Sequence, residues 1–342
     1  MIGEVTLVVD QWDDVQSTRA ALQAHLPAEG RITVQPTPAS GSPAALAHDV
    51  LYALGKRLAP GPDTPDVWLD SVNPAWLAAA AWSAATGLRH VLVTRAHLLT
   101  ARRIDQLLAW RETTGVQLTL LWQTSPHRLP PALARVKCRV SGQHQLELVL
   151  HAAGPKPARP FFPPTSAMPA AGTAAASAAE QPTARPRPAW FAPSTPPQAH
   201  ACAGAAATAP QVSASAAREV APQDVAALTA VAHPLIAGAL SVLAFTRAGP
   251  GVLHWTRDLD ITADVCAIKT HTPGHRQCQL HTVPAWAQPL LAGARAQHRS
   301  SGRPPEETLF TPVLATGAQH LRAHAARLPT LDLALPPNVL VA

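Results

Sequence analysis

A proline- and alanine-rich stretch in the middle of the chain limits what its 342 residues can fold into. The stretch spans residues 151–218, contains the run PKPARPFFPPTSAMPAAGTAAASAAEQPTARPRPAWFAPSTPPQ, and continues in Ala, Ser, Pro and Thr. Such a sequence cannot bury enough side-chain surface to offset the entropy that is lost when it becomes ordered. We therefore predict a disordered linker over 151–218 that separates two folded domains, residues 1–150 and residues 219–342.

The net charge of +6 lies mostly in this linker, which carries five basic residues and one acidic residue. A high isoelectric point therefore does not by itself indicate a nucleic-acid-binding surface on either domain. The four cysteines are too few and too scattered for a disulfide framework. No apolar run reaches the roughly 18 residues that span a bilayer, and the first residues lack the features of a signal peptide. We expect a cytoplasmic protein without a membrane partner.

Residues 1–150 alternate short apolar runs with helical segments, a pattern typical of α/β domains with a parallel sheet. The sequence predicts strands at 5–9, 31–34, 90–93, 116–122 and finally 145–150, with helices at 16–25, 43–58, 76–86 and 104–113.

Residues 219–342 indicate a mainly helical domain with one small β-hairpin. We predict one or two helices over 222–245 with a bend at Pro234, and a hairpin made of 265–269 and 277–283. Two further helices are expected at 285–298 and 318–328.

The segment that follows the first strand, Gln11-Trp-Asp-Asp-Val-Gln-Ser-Thr18, lies where a phosphate-binding loop would follow the first strand of a P-loop protein. The N-terminal half resembles P-loop ATPases of the AAA type, notably the transposition-helper and origin-recognition kinds. In the pattern of that family, Gln11 and Gln16 replace the two glycines, Ser17 replaces the lysine, and Thr18 keeps the hydroxyl. Without glycines and lysine the loop lacks the backbone cradle and the charge that hold phosphates.

A second degenerate box follows the strand at 90–93, where the sequence reads Thr94-Arg-Ala-His-Leu-Leu99. The resemblance implies a Walker B motif here, with Thr94 in place of the magnesium-binding acid and Arg95 in place of the water-activating acid. We therefore expect a degenerate nucleotide site, no ATP hydrolysis and no cofactor.

The C-terminal half resembles the catalytic domain of tyrosine recombinases and phage-type integrases. The residues that carry this resemblance are the stretch 245–260, Ile268-Lys269, Val283-Pro284 and Glu307-Thr-Leu-Phe310. Lys269 matches the hairpin lysine, which in the family protonates the leaving 5′-oxygen. The position of the first family arginine is occupied by Gly249, and the only tyrosine of the chain is Tyr52, in the other half. Strand exchange needs a tyrosine nucleophile, so we expect no enzyme activity.

Basic residues around the hairpin and the following helix are the candidates for phosphate contacts. They are Lys269, Arg276, Arg295, Arg299 and Arg303. The same region contains Cys266, His271, His275, Cys278 and His281. These five side chains are possible zinc ligands, but no pair has the C-x2-C spacing of a zinc knuckle.

The sequence thus predicts a non-catalytic, DNA-associated accessory protein of mobile-element or recombination origin that binds duplex DNA. Three alternatives stay open. One is a protein–protein adaptor whose pseudo-ATPase domain assembles with an intact ATPase or recombinase relative, and another is a zinc-binding module. The third is a decaying gene product without a selected role.

Overall fold

The computed structural model describes residues 5–38, 40–58, 69–124, 129–136, 138–142, 146, 219–271, 278–316, 318–328, 330, 331, 333 and 335. The predicted linker at 151–218 lies outside the described residues.

Five parallel strands form the sheet of the N-terminal part, which confirms the predicted α/β class. The strands are β1 (Val5–Val9), β2 (Arg31–Val34), β3 (His90–Val93), β4 (Gln117–Trp122) and β5 (Cys138–Gly142). Their order across the sheet is β2-β3-β4-β1-β5.

The prediction of a last strand at 145–150 was wrong in position, because the fifth strand is Cys138–Gly142. Of the predicted range only residue 146 is described, and it lies in a helical turn. β5 pairs with β1 alone and therefore forms an edge of the sheet. An edge strand has fewer neighbours to bury its side chains against, and Val140 is accordingly exposed. This explains why β5 lacks the continuous apolar run that marks the inner strands.

Helices connect the strands close to the predicted places. They are α1 (Val15–Gln23), α2 (Ala45–Ala53), α3 (Val72–Ala85), α4 (Ala101–Thr114) and the short α5 (Pro131–Ala134). The Asp14 carboxylate caps α1 by accepting from the Gln16 N–H, and Gly115 ends α4 in the left-handed conformation that favours glycine.

The two faces of the sheet differ in character. One face contributes apolar residues such as Leu7, Val93 and Leu120 to a large core that includes α2, α3 and α4. On the other face, Val8, Leu92 and Leu121 form a small cluster with Ala21 and Ala24 at α1. The connection direction of the parallel strands puts α1 on this second face, where Leu146 packs as well.

The C-terminal part is mainly helical and has one antiparallel hairpin, as predicted. Its elements are α6 (Pro222–Ala230), α7 (Pro234–Thr246), β6 (Ala267–His271), β7 (Cys278–Thr282), α8 (Gln288–Ser300), α9 (Thr311–Thr316) and α10 (Ala318–Ala325). The predicted bend at Pro234 is the break between α6 and α7. Within the described residues, no helix combines the length and the apolar character needed to cross a membrane.

Trp82 of α3 joins the two parts of the chain. Its ring is fully buried, and its Nε1–H donates to the Ala232 carbonyl at 2.6 Å. α8 lies against it so closely that a Cβ on Gly293 would stand 3.0 Å from the nearest atom of the ring. The described residues of 1–150 and 219–342 therefore share one hydrophobic core, although each part has its own secondary-structure class.

A second link lies beside Trp82. The Lys56 ammonium lies 3.4 Å from the centroid of the Trp82 ring and donates to the Thr229 carbonyl at 2.7 Å. The Arg57 N–H donates to the Ala230 carbonyl at 2.6 Å. The chain at 229–232 is thus held to the N-terminal part by backbone and side-chain hydrogen bonds.

Gly238 tests the close approach of α7 to α8. A Cβ at this position would stand 2.6 Å from the Ala294 Cβ, so the two helices would have to separate. Alanine gains about 1 kcal/mol in helix propensity over glycine, whereas overpacking a core costs about 1–3 kcal/mol. We expect Gly238→Ala to lower the free energy of unfolding in urea. Gly249→Ala is the control, because a Cβ there meets nothing within 4 Å. Equal stabilities of the two variants would contradict the packing described.

Lys56 makes the stability of the fold depend on pH. Burial lowers the pKa of Lys56 from 10.5 to about 8, although the Thr229 carbonyl and the Trp82 ring favour the ammonium form. Between about pH 8 and 10.5 the unfolded chain therefore binds a proton that the folded chain does not bind, and the free energy of unfolding rises with pH.

We expect wild-type protein to gain up to about 3 kcal/mol over this interval relative to Lys56→Met, which lacks the titrating group. Urea unfolding of both proteins between pH 7.5 and 10.5 measures the difference. Parallel pH dependences of the two proteins would show that Lys56 does not titrate in this way.

Candidate functional site

The carboxyl edge of the parallel sheet has one topological switch point, between β1 and β4. From β1 the chain continues to β2, which lies on the β4 side of this point. From β4 it continues to β5, which lies on the β1 side. Ligands of open α/β sheets bind in the crevice at such a point. The two sequence segments predicted to form a degenerate nucleotide site follow β1 and β3 and therefore lie at this edge.

Acidic side chains occupy the connection between β1 and α1. The Asp14 N–H donates to the buried Asp10 carboxylate at 2.9 Å, and the Gln16 N–H donates to the Asp14 carboxylate at 2.8 Å. Asp13 has a φ of 51° and accepts from the Gln123 amide, which follows β4. The N–H groups of Asp14 and Gln16, at the start of α1, are thus already bonded within the chain, at the place where a phosphate would bind.

The structure brings some of the predicted site residues together and leaves others apart. Thr18 lies on α1 and its Oγ1 accepts from the Gln123 amide at 3.1 Å. Ser17 is buried on the same helix, and Gln11 and Gln16 are exposed. Thr94 is buried and its hydroxyl donates to the Val34 carbonyl at 3.4 Å.

Arg95 is exposed and has a φ of 48°. Its neighbour His97 lies in edge-to-face contact with Trp122. Burial lowers the pKa of His97, and this outweighs the opposite effect of Asp13. These contacts orient the loop after β3 but supply no carboxylate at the two predicted Walker B positions.

This arrangement does not suit a nucleotide. α1 begins at Val15, so only residues 11–14 of the eight positions of the predicted loop lie outside the helix. Glycines are absent from this segment, and the side chains nearest the helix terminus are carboxylates, which repel phosphates. The described residues of this connection offer hydrogen bonding and attraction for cations.

A buried ion-pair cluster organises the C-terminal part. The Asp258 carboxylate is fully buried and accepts from Arg295 Nε at 2.5 Å and from Arg299 Nε at 2.6 Å. Arg295 also donates to the Thr262 carbonyl at 2.7 Å. Burial lowers the pKa of Arg295, and the Asp258 carboxylate acts against this shift. The cluster therefore fixes α8 to the segment that leads into the hairpin.

The predicted DNA-contacting residues occupy different surroundings. Arg295 is buried in the cluster, Arg299 shares Asp258 but is partly exposed, and Arg303 pairs with Glu307. Lys269 lies half-buried on β6. Arg276 lies outside the described residues.

Of the described hairpin side chains that were considered as zinc ligands, His271 and Cys278 contact each other, whereas His281 and Cys266 have other partners. Within the described residues, no group of three or more His, Cys, Asp or Glu side chains could hold a metal ion. His281 Nε2 is 2.9 Å from the Thr270 hydroxyl, and the Cys266 thiol donates to the Asp264 carbonyl at 3.7 Å. His275 lies outside the described residues.

Sequence reasoning missed one constellation on this hairpin. His271 lies between Cys278 and Asp260, within hydrogen-bond distance of both. The signal that could have identified the first pair is the register of the hairpin, which places residue 271 directly opposite residue 278. The predicted first strand of the hairpin ends at residue 269, which places His271 in the turn. The pairing of His271 with Cys278 therefore could not be predicted.

Comparison with family models, with curated proteins and with solved structures finds no match for this chain. The resemblances to AAA-type ATPases and to tyrosine recombinases therefore stay predictions that rest on the quoted residues.

Asp258 tests the ion-pair cluster. Asp258→Asn keeps the size of the side chain but leaves Arg295, itself 4% exposed, without a full counter-charge. Removing one member of a buried ion pair costs about 3–5 kcal/mol. We expect a loss of this order in the free energy of unfolding, measured with urea.

Glu307→Gln is the matched control for Asp258→Asn. It removes one carboxylate from the partly exposed pair with Arg303, and exposed pairs contribute about 0–1 kcal/mol. A small effect of both substitutions would contradict the structural role of the Asp258 cluster.

Proposed function

We propose that this chain is a non-catalytic, DNA-associated accessory protein of mobile-element or recombination origin. The observation that supports the non-catalytic part is the carboxyl edge of the sheet, where Asp10, Asp13 and Asp14 occupy the connection that should hold phosphates. A protein that keeps such a sheet without the phosphate loop can still bind DNA or a partner protein, because neither function requires a bound nucleotide.

The absence of a recombinase nucleophile points the same way. The only tyrosine, Tyr52, lies exposed on α2, in the part of the chain that does not carry the recombinase resemblance. An arginine that would neutralise a phosphorane is also missing at Gly249, and Arg247 next to it ends α7 with a φ of 53°. Strand exchange by this chain alone is therefore not part of the proposal.

DNA association is supported by the hairpin and the end of α8. Lys269 lies half-buried on β6, at the position that matches the hairpin lysine of recombinases. The Arg299 side chain is 40% exposed beside Asp258, so an external phosphate can approach it. The paired Arg295 and Arg303 contribute less, since their charges are already balanced by carboxylates.

A protein–protein adaptor is the second candidate function, and one surface favours it. Trp12 is 80% exposed, and Val15 and Leu22 on α1 are exposed as well. Val15 and Leu22 are seven residues apart and therefore lie on one face of the helix. Exposed apolar side chains grouped in this way are typical of surfaces that bind another protein, such as an intact ATPase or recombinase relative.

Lys269 tests the proposed function. We expect the full chain to bind labelled duplex DNA in fluorescence anisotropy, with an affinity that falls steeply between 50 and 300 mM salt. Lys269→Ala should weaken binding several-fold. It should also reduce the slope of log affinity against log salt by the amount that corresponds to about one phosphate contact. The reason is the loss of one cation from the proposed DNA face.

Arg102→Ala is the control for Lys269→Ala, because it removes an exposed cation from α4 of the N-terminal part. Equal weakening by the two substitutions would indicate non-specific charge attraction. No binding by wild-type protein at 50 mM salt would overturn the DNA proposal and favour the adaptor.

A further inference from the structure

Three side chains from separate segments form a hydrogen-bonded row at the end of the hairpin where β6 ends and β7 begins. Cys278 Sγ lies 3.2 Å from His271 Nδ1, and His271 Nε2 lies 3.2 Å from Asp260 Oδ1. This is a thiol, a base and a carboxylate in the order that a nucleophile needs for its activation.

The fold holds the row in place from both sides. His271 and Cys278 are directly opposed residues of the antiparallel strands β6 and β7. Asp260 lies on the 3-10 turn Asp258–Asp260 and accepts from the backbone N–H of Arg257 at 3.0 Å and from its Nε at 3.1 Å. The carboxylate that orients the imidazole is thus itself oriented by Arg257.

Burial and charge change along the row. The Asp260 side chain is 4% exposed and the His271 side chain is 26% exposed, and Cys278 lies at a partly exposed position. Burial acts to raise the pKa of Asp260, but hydrogen bonds from Arg257 and His271 outweigh it, so the pKa lies below its usual value. Asp260 is therefore a carboxylate at neutral pH. The other charged group on the same strand face as His271 is Lys269, two residues away.

The order of the atoms fixes what each group does. A carboxylate at Nε2 favours the imidazole tautomer that has its hydrogen there, which leaves Nδ1 free to accept the thiol proton from Cys278. The thiolate that results is the nucleophilic form of cysteine.

Cys266 provides an internal contrast on the same hairpin segment. It is exposed, and its hydrogen bond to Asp264 raises the pKa of its thiol, with the negative charge of Asp264 acting in the same direction. Accessibility alone would make Cys266 the more reactive thiol, whereas activation by a base makes Cys278 the more reactive one.

We propose that Cys278 is a modification site, a nucleophilic thiol that forms a mixed disulfide with a low-molecular-weight disulfide. His271 takes the proton from Cys278, and the sulfur attacks one sulfur of the disulfide. A new S–S bond forms, the old S–S bond breaks, and the leaving thiolate takes its electron pair and receives the proton from His271. Cys278 is oxidised and the released thiol is reduced. Asp260 acts as a positioning residue for His271.

The test uses full-length protein and oxidised glutathione at pH 7, with the modified cysteine identified by mass spectrometry of peptides. We expect the mixed disulfide at Cys278 to form about tenfold faster than at Cys266, because only Cys278 has a base beside it. An equal or slower rate at Cys278 would overturn the proposal.

His271→Gln separates activation from packing, because glutamine can form hydrogen bonds but cannot accept the proton. It should reduce the Cys278 rate to that of Cys266 and remove the reaction of Cys278 with iodoacetamide between pH 6 and 7, while the Cys266 rate stays unchanged. An unchanged Cys278 rate in this variant contradicts the role of His271. If this variant changes the Cys266 rate or the circular dichroism spectrum, the test of the proposal is the ratio of the Cys278 rate to the Cys266 rate in wild-type protein.

Discussion

The burial of Trp82 between the sheet and the C-terminal helices is the contact on which the rest of the structure depends. One face of α3 lies in the core under the sheet, and Trp82 packs against Gly293 of α8 and bonds to the Ala232 carbonyl. Lys56 lies over the same ring, at the cost of burying an ammonium group. The region that resembles a recombinase domain is thereby attached to the region that resembles an ATPase, so neither part presents all of its surface to solvent.

The ionic interactions of the C-terminal part are directed inward. Asp258 and Asp260 lie on one 3-10 turn, and the first holds α8 through Arg295 and Arg299 while the second holds the hairpin through His271. The two carboxylates therefore set the position of the hairpin relative to α8, and with it the positions of Lys269 and Cys278. An external anion would compete with Asp258 for Arg299, whereas the described residues form no ion pair with Lys269, which makes the lysine the better candidate for contacts with phosphates.

Four of the five strands could be predicted from the sequence, because the inner strands are short apolar runs such as Val5–Val9 and the edge strand β2 is buried at three of its four residues. The edge strand β5 could not, since only one of its five residues is buried. The helix break at Pro234 followed from the chemistry of proline. The periodicity of α3 does not indicate which helix packs against it, because α3 is buried on nearly all sides. The positions predicted as a degenerate nucleotide site follow from their spacing and stay a prediction, whereas the row of Cys278, His271 and Asp260 depends on hairpin register and a distant turn.

Hydrogen exchange of the intact chain, followed by mass spectrometry, tests most directly whether the two parts form one structure around Trp82. Peptides from β1 and β4 report on the sheet, and peptides from α7 and α8 report on the C-terminal helices. A shared core predicts that the slowest amides of both sets open with the same free energy, since the two parts then unfold together. Opening of α7 and α8 at a clearly lower free energy than the sheet would show that the parts are independent domains, and would contradict the account.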